Sequence, residues 1–423
     1  MYTALRLQRR LKHGEAAVTI VDPHSYMTYQ PFLPEAGAGN LEPRHVVVPL
    51  RQVLRGCQVL SGGVTSIDHS RRTARFQPRE GEASDLSYDV LVLALGSIAR
   101  TMPIPGLRET GIGFRTVAEA IYLRNHVLSR LDIAASSSDP AVRRRALTFL
   151  FVGGGYAGIE AIAELEDMAR DAIRYYDGLS AEDMRWVMVE ASNRILPEVS
   201  LDLSHYTIRE LEKRNIAMKL ETKVESLVGG HVVLSTGEEF DAETIVWTAG
   251  VRAHPLLENT DLPLDEKKRL RCTAALQVLG VDDAWAAGDC AAVPDLSKTD
   301  SQAFTSPSAQ HAVRQAKQLG DNIVASLRGE TMRDYRHPYA GSVASLGLHK
   351  GVAEVYGVKV RGFPAWFMHR TYHVSRMPTF NRKVRVVADW TLALFFHREI
   401  VSLGDFANPR RDFEAAATPV DAA

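Results

Sequence analysis

Five short apolar runs punctuate the chain: Val18–Val21, Val90–Leu95, Phe149–Val152, Trp186–Val189 and Thr244–Ala249. Each is too short for a helix, and each is bounded by a glycine or an acidic residue, which predicts buried strands. Between them lie stretches of helical spacing, Thr116–Ala135, Ile159–Glu166, Thr207–Arg214 and Ala309–Lys317. Val64–Phe76 with Leu86–Leu95, and Lys219–Leu227 with His231–Leu234, read as β-rich. Strands alternating with helices predict an α/β fold. Ser136-Ser137-Ser138-Asp139-Pro140 has the composition of a linker, and Tyr26–Asn40 reads as a loop with aromatics and two prolines. From His337 the texture changes. Residues 340–347 and 351–357 predict a hairpin, followed by aromatic segments at Phe363–Met368 and Trp390–Phe396 flanked by Arg370, Arg376, Arg382, Lys383, Arg385 and Arg398.

The third run carries the first chemistry. Phe149–Val152 enters Gly153-Gly154-Gly155-Tyr156-Ala157-Gly158 and then a helix pattern. This is G-x-G-x-x-G after a strand and opening a helix, where the glycines allow a tight turn and close backbone approach. Free N–H groups and the helix dipole can then hold a pyrophosphate. Trp186–Val189 follows and ends in Glu190, which can bind both hydroxyls of an adenosine ribose and repels a 2′-phosphate. The expectation is a dinucleotide site using Gly153, Gly155, Gly158 and Glu190, with NAD preferred over NADP.

The N-terminus repeats the back half of that unit. Met1–Leu11 reads as a helix, and Val18–Val21 ends in Asp22. Laying Met1 on Ile159 aligns Ala4–Gln8 with Ile162–Glu166. A strand and glycine turn would belong before Met1, so the reading is a start placed inside a second dinucleotide-binding unit; a free-standing helix is the plainer alternative. The runs ending at Gly96-Ser97 and at Gly250 match in kind. The chain thus holds two copies of one design, the first wrapped around the second in sequence. Ala287-Gly288-Asp289 ends a further small-residue strand where backbone and carboxylate could meet a polyol. Ser306 is the expected N-cap of the next helix and Pro307 its first residue. Ala309, Ala312 and Ala316 make a small-residue stripe suited to close approach.

Totals narrow the classes. A chain of 423 residues has length for two or three domains, and a net charge of −1 gives no reason to expect nucleic acid. Cys57, Cys272 and Cys290 form no C-x-x-C, which argues against a disulfide scaffold and a dithiol redox centre. No histidine spacing suggests a metal, and no apolar run reaches the ~18 residues of a membrane span. Aromatics bordered by basic residues in 360–405 suit an element lying on an anionic membrane surface, with a dimer interface or plain core as alternatives.

Taken together, the two units, the Gly96 and Gly250 strand ends, Ala287-Gly288-Asp289 and the missing cysteine pair resemble the two-dinucleotide-binding flavoproteins. Within them, Ala309-Gln310-His311-Ala312-Val313-Arg314-Gln315, which matches the A-Q-x-A-x-x-Q stretch at the quinone site of the type II, non-proton-pumping NADH:quinone oxidoreductases, and the aromatic-basic C-terminus resemble that narrower family. The resemblance implies two Rossmann-like domains, the NAD domain inserted in the FAD domain, plus a small membrane-associating region. It implies an FAD domain in 1–118 and 255–335 lacking its first strand and glycine turn, an NADH domain in 119–254, a hairpin and amphipathic segment in 336–405, and a disordered tail in 406–423. FAD would meet Asp22, Gly96, Ser97 and Asp289. NADH would meet Gly153, Gly155, Gly158, Glu190 and Gly250. Glu160, two residues past the last glycine, would be the acid near nicotinamide and flavin, with a helix-start carboxylate as the plain alternative. Gln310 and Gln315 would border the quinone, although roughly 140° separates them around a helix. The implied setting is peripheral, on the cytoplasmic face of the cell membrane, with a homodimer an open candidate. A soluble reductase of an iron–sulfur protein and a flavin-free NAD-binding redox sensor remain the rival readings.

Overall fold

The computed structural model describes residues 1–300, 302–337, 341–396, 398–402 and Glu414. Two compact units divide the chain: Met1–Met27, Val47–Arg100 and Gly250–Ala340 in the first, and Thr28–Val46, Thr101–Ala249 and everything from Gly341 in the second. This division differs from the expected domain ranges. The segment 28–46 and the described residues from 341 onward join the nucleotide-type unit, and within them Leu33–Gly37 and Gly341–Ser345 pack on its helix Tyr156–Ala172. The expected tail 406–423 lies, but for Glu414, outside the described residues.

In the first unit, helix Tyr2–Arg10 precedes strand Thr19–Asp22, which pairs in parallel with Gln58–Asp68. Thr73–Pro78 and Ser84–Ser87 continue that sheet antiparallel. Leu91–Leu93 pairs in parallel with Ala284–Ala286, and Leu270–Arg271 in parallel with Ala291–Ala292, each as a separate two-stranded sheet, so the described parallel strands of this unit fall into three sheets. The core gathers Leu7, Leu93, Leu257, Trp285, Leu319 and Ile323. Helix Ala309–Leu327 lies against Tyr2–Arg10, and Gly320 makes the approach close: a Cβ there would stand 2.8 Å from Arg6 Cβ. Arg6 closes the contact with a two-point pair to Asp321, each bond 2.9 Å. This helix starts two residues later than expected. Ser308, rather than Ser306, is the N-cap, its Oγ accepting the His311 N–H at 3.2 Å, and Pro307 lies before the helix.

The second unit holds a five-stranded parallel sheet in the order Ile216–Lys219, Arg185–Val189, Thr148–Val152, Thr244–Trp247, Gly111–Ile112. Thr148–Val152 is buried at every position, as a central parallel strand covered on both faces must be. Phe149 stacks on Trp186 at 4.2 Å between ring centroids, and both are almost wholly buried. Helix Val117–Ser136 begins with a capping box between Thr116 and Glu119. The expected linker is shorter than its composition implies, since Asp139 caps a new helix at Pro140–Ala146. The expected loop 26–40 is largely helical, with Gln30–Phe32 leading into Leu33–Gly37, all five residues of the latter buried. The hairpin is a three-stranded sheet, Gly341–Ser345, Gly351–Val355 and Val358–Arg361. The first aromatic segment lies in helix Phe363–Arg376, and the second begins in helix Phe380–Leu392 and runs past its end.

Candidate functional site

The glycine turn of the second unit connects strand Thr148–Val152 to helix Tyr156–Ala172, and its three motif glycines have three different causes. Gly153 has φ +111°, and a Cβ there would lie within 3 Å of the Thr248–Ala249 backbone. Gly158 lets the helix sit down on the turn, since its Cβ would meet Gly153 O at 2.0 Å. Gly155 is unlike both. Its φ of −74° suits any residue, and a Cβ there would meet no protein atom within 4 Å. The protein does not itself require glycine at 155, and the space in front of it faces the helix N-terminus. Thr248 Oγ1 donates to the carbonyls of Val152 and Gly153 at 2.9 and 3.0 Å, locking the turn.

Glu190 follows the next strand and reaches back to this turn. Its Oε2 accepts the Gly154 N–H at 2.6 Å, while Oε1 accepts Ser192 N and Oγ, each at 2.8 Å. Each carboxylate oxygen carries two lone pairs, so acceptor capacity remains for sugar hydroxyls. A separate cleft of about 800 Å³, lined by Tyr122, His126, Arg130, Arg145 and Glu243 among others, shares no residue with the turn.

In the first unit, Asp22 ends strand Thr19–Asp22, with Oδ1 accepting the His24 N–H at 2.7 Å; burial raises its pKa. Ser97 Oγ donates to Asp289 Oδ2 at 2.7 Å, joining two predicted residues. Gly96 and Gly288 both have positive φ, +67° and +79°. Gly250 opens its segment of this unit at φ +85°, its carbonyl accepting Arg100 N at 3.1 Å. The small-residue stripe has its expected use: Ala312 Cβ lies 3.4 Å from where a Gly288 Cβ would stand. Gln315 is buried with both amide groups engaged, Oε1 accepting the Gly288 N–H at 2.8 Å and Nε2 donating to Thr305 Oγ1 at 3.0 Å. Gln310 is half-buried near the start of the same helix.

Glu160 is buried on helix Tyr156–Ala172 and is more than a helix-start carboxylate. Its Oε1 accepts the Ser345 N–H at 2.9 Å and stands 3.2 Å from His369 Nε2, off the line of a hydrogen bond but within ion-pair reach. Burial alone would lower the His369 pKa; Glu160, Glu35 and Glu164 outweigh it and raise it. One turn on, Glu164 is fully buried, Oε2 accepting Asn40 Nδ2 at 2.9 Å and Oε1 bonded to Ser345 Oγ at 2.8 Å. Burial first, then Glu35 and Asp167, push its pKa up to about 7. Glu35 accepts from Arg370 and from Trp390 Nε1, each at 2.8 Å, and Arg370 lies over the rings of Trp366 and Trp390. These partners were missed in the sequence. Their signal is the spacing of Glu160 and Glu164 within Ile159–Leu165, where every other residue is apolar: carboxylates four apart in such a run need buried partners.

All three cysteines are free, and burial raises the Cys290 thiol to about 11. Comparison with known proteins fits this architecture. The chain is 29% identical over 375 residues to the type II NADH:quinone oxidoreductase of Staphylococcus epidermidis, covering 88% of this chain and 90% of that one. It is 26% identical over 452 residues to the mitochondrial external alternative NADH-ubiquinone oxidoreductase of Yarrowia lipolytica, covering 93% and 78%. Its fold matches NDH2 from Plasmodium falciparum, solved in complex with NADH, with a TM-score of 0.87 at 16% identity over 95% of this chain and 98% of that chain. The sequence profile of the pyridine nucleotide-disulphide oxidoreductases matches residues 1–316, and the chain belongs to that family.

Proposed function

We propose that this protein oxidises NADH and reduces a membrane quinone by two electrons through FAD, without pumping protons. The observation that carries the reading is Gly155, a glycine that no protein contact and no backbone strain demands, at the head of a long helix. Close approach of a pyrophosphate explains it. Gly153 and Gly158 shape the turn, and Glu190 accepts the ribose hydroxyls. The names of the relatives from S. epidermidis and Y. lipolytica supply the quinone.

The residues present fit FAD at its two sugar ends. Asp22 offers a carboxylate for the adenosine ribose, and Asp289, already paired with Ser97, one for the ribityl chain, with Gly96 beside it. FAD, when bound, supplies a ring that accepts hydride and passes electrons on. The chain's own residues bind and orient: Gln315 holds Gly288, so the Ala287–Asp289 turn keeps its shape beside the helix. Glu160 is the acid nearest the chemistry, and Gln310 borders the quinone. Gln315 supports that border from within, its amide being engaged elsewhere.

The C-terminal helices support peripheral attachment at the cytoplasmic face of the membrane. Trp390, His369 and Arg370 turn inward, while Phe363, Phe367, Phe380, Leu394, Phe395 and Phe396 are exposed. No described helix is long and apolar enough to cross a membrane. Arg376, Arg382, Lys383 and Arg385 border the exposed aromatics, which favours an anionic lipid surface over a homodimer contact. The test is NADH oxidation with a quinone against an iron–sulfur protein acceptor, with flavin measured by absorbance. Turnover with quinone supports the reading. Turnover with the protein acceptor alone assigns the soluble reductase, and NADH binding without flavin assigns the redox sensor.

A further inference from the structure

The cleft of about 800 Å³ is built from the second unit alone and has the size of a small-molecule site. One wall is a single stripe of helix Val117–Ser136. Glu119, Tyr122, His126 and Arg130 follow one another at three, four and four residues, which puts them on one face over about 16 Å. The stripe changes character along its length. At the acidic end, the hydrogen bonds from Arg115 N, Thr116 N and Thr116 Oγ1 all fall on Glu119 Oε2, and Oε1 takes none from the described residues. Glu109 adds a second, exposed carboxylate there. In the middle, Tyr122 is 48% exposed and stacks on His126 at 5.9 Å between ring centroids. An aromatic ring left open in a cleft is a platform for another flat ring. At the basic end, Arg130 and Arg145 share one carboxylate, Glu243, so one positive charge is left over. Arg130 Nε is buried without an acceptor, and the exposed Arg145 side chain donates no hydrogen bond among the described residues.

We propose that this cleft is a second nucleotide site, taking an adenine mononucleotide with its phosphate on Arg145 and Arg130, its base on Tyr122 and its exocyclic amine donating to Glu119. The order of groups along the stripe carries the assignment. A guanidinium pair with charge to spare suits a phosphate. The open ring suits a flat base, and a carboxylate oxygen without a donor suits an amine. A dicarboxylate would be repelled at the acidic end, and an aromatic acid would leave that end without a donor. The cleft and the glycine turn stand at opposite ends of one strand. Thr244, bonded to His126 at 3.0 Å, begins Thr244–Trp247, and Thr248 just past its end locks the turn. Four residues of strand separate the two threonines by roughly 13 Å. The mononucleotide and NADH meet different residues, so both can be held at once.

The experiment is calorimetric titration of AMP into the FAD-loaded full chain saturated with NAD+, which fills the glycine turn. One AMP should bind per chain. Y122A removes the platform and R145Q the open guanidinium, and each should weaken AMP at least about tenfold. Both side chains are exposed, so neither change disturbs the core, and the NADH KM should stay where it was. Adenosine, which lacks the phosphate, should bind wild type and R145Q equally. IMP presents a carbonyl in place of the amine and should bind about tenfold more weakly than AMP, a comparison that needs no variant. AMP that binds only when NAD+ is withheld, AMP held equally by wild type, Y122A and R145Q, or IMP held as tightly as AMP overturns the proposal.

Discussion

Gln315 Oε1 accepts the backbone N–H of Gly288 at 2.8 Å, tying a long helix to the turn that carries Asp289. The bond is buried, and the same amide also donates to Thr305. Q315L leaves the Gly288 N–H without an acceptor and should lower the unfolding free energy by about 2 kcal/mol in urea titration. A residue acting only on quinone would instead raise the quinone KM and leave the urea midpoint where it was.

The glycines of the dinucleotide turn separate binding from folding. G158A puts a Cβ 2.0 Å from Gly153 O and should destabilise the second unit by several kcal/mol, on the order of 3, with a drop in Tm. G155A meets nothing in the protein and should leave Tm within a degree or two, while the NADH KM rises at least about tenfold. Equal KM values for G155A and wild type would remove the pyrophosphate from that turn.

Much of this was legible because parallel strands announce themselves. Phe149–Val152 and Trp186–Val189 are continuous apolar runs, and both are central strands. Pairs such as Ser97 with Asp289, 192 residues apart, were each marked by a strand ending at glycine. Helix Leu33–Gly37 was illegible because two prolines and three glycine or alanine steps read as loop, whereas burial of Phe32 and Leu33 decides the matter. The acid network escaped for a different reason. Asn40, Ser345, His369 and Arg370 come from three separate stretches, and nothing local in any of them names Glu164 as the partner. The N-cap at Ser308 was missed because two serines flank one proline, and propensity ranks them alike.

His126 gives the fold a pH dependence of known sign. Burial first, and Arg130 second, lower its pKa to about 4, and its Nε2 sits 3.0 Å from Thr244 Oγ1. The unfolded chain takes up this proton at about pH 6.5 and the folded one does not. The contribution is therefore complete above pH 6.5 and is lost as pH falls toward 4, amounting to at most about 3 kcal/mol. Urea unfolding at pH 7 and pH 5 should differ more for wild type than for H126Q. Parallel pH profiles for the two proteins would assign the acid sensitivity elsewhere.

The exposed aromatic face can be tested apart from turnover. Arg376 and Arg385 are exposed on the two C-terminal helices, and Phe380 and Phe395 are 81% and 76% exposed. Each basic residue near an anionic bilayer contributes about 1 kcal/mol, so R376Q with R385Q should weaken partitioning onto phosphatidylserine-containing vesicles roughly thirtyfold. That difference should shrink in 0.5 M salt, where screening shortens the range of the attraction to a few ångströms. F380S with F395S removes apolar contact and should weaken partitioning at either salt concentration. Vesicle flotation checks both arms. Serine variants that still float while losing self-association in sedimentation would assign the aromatic face to a second copy of the chain.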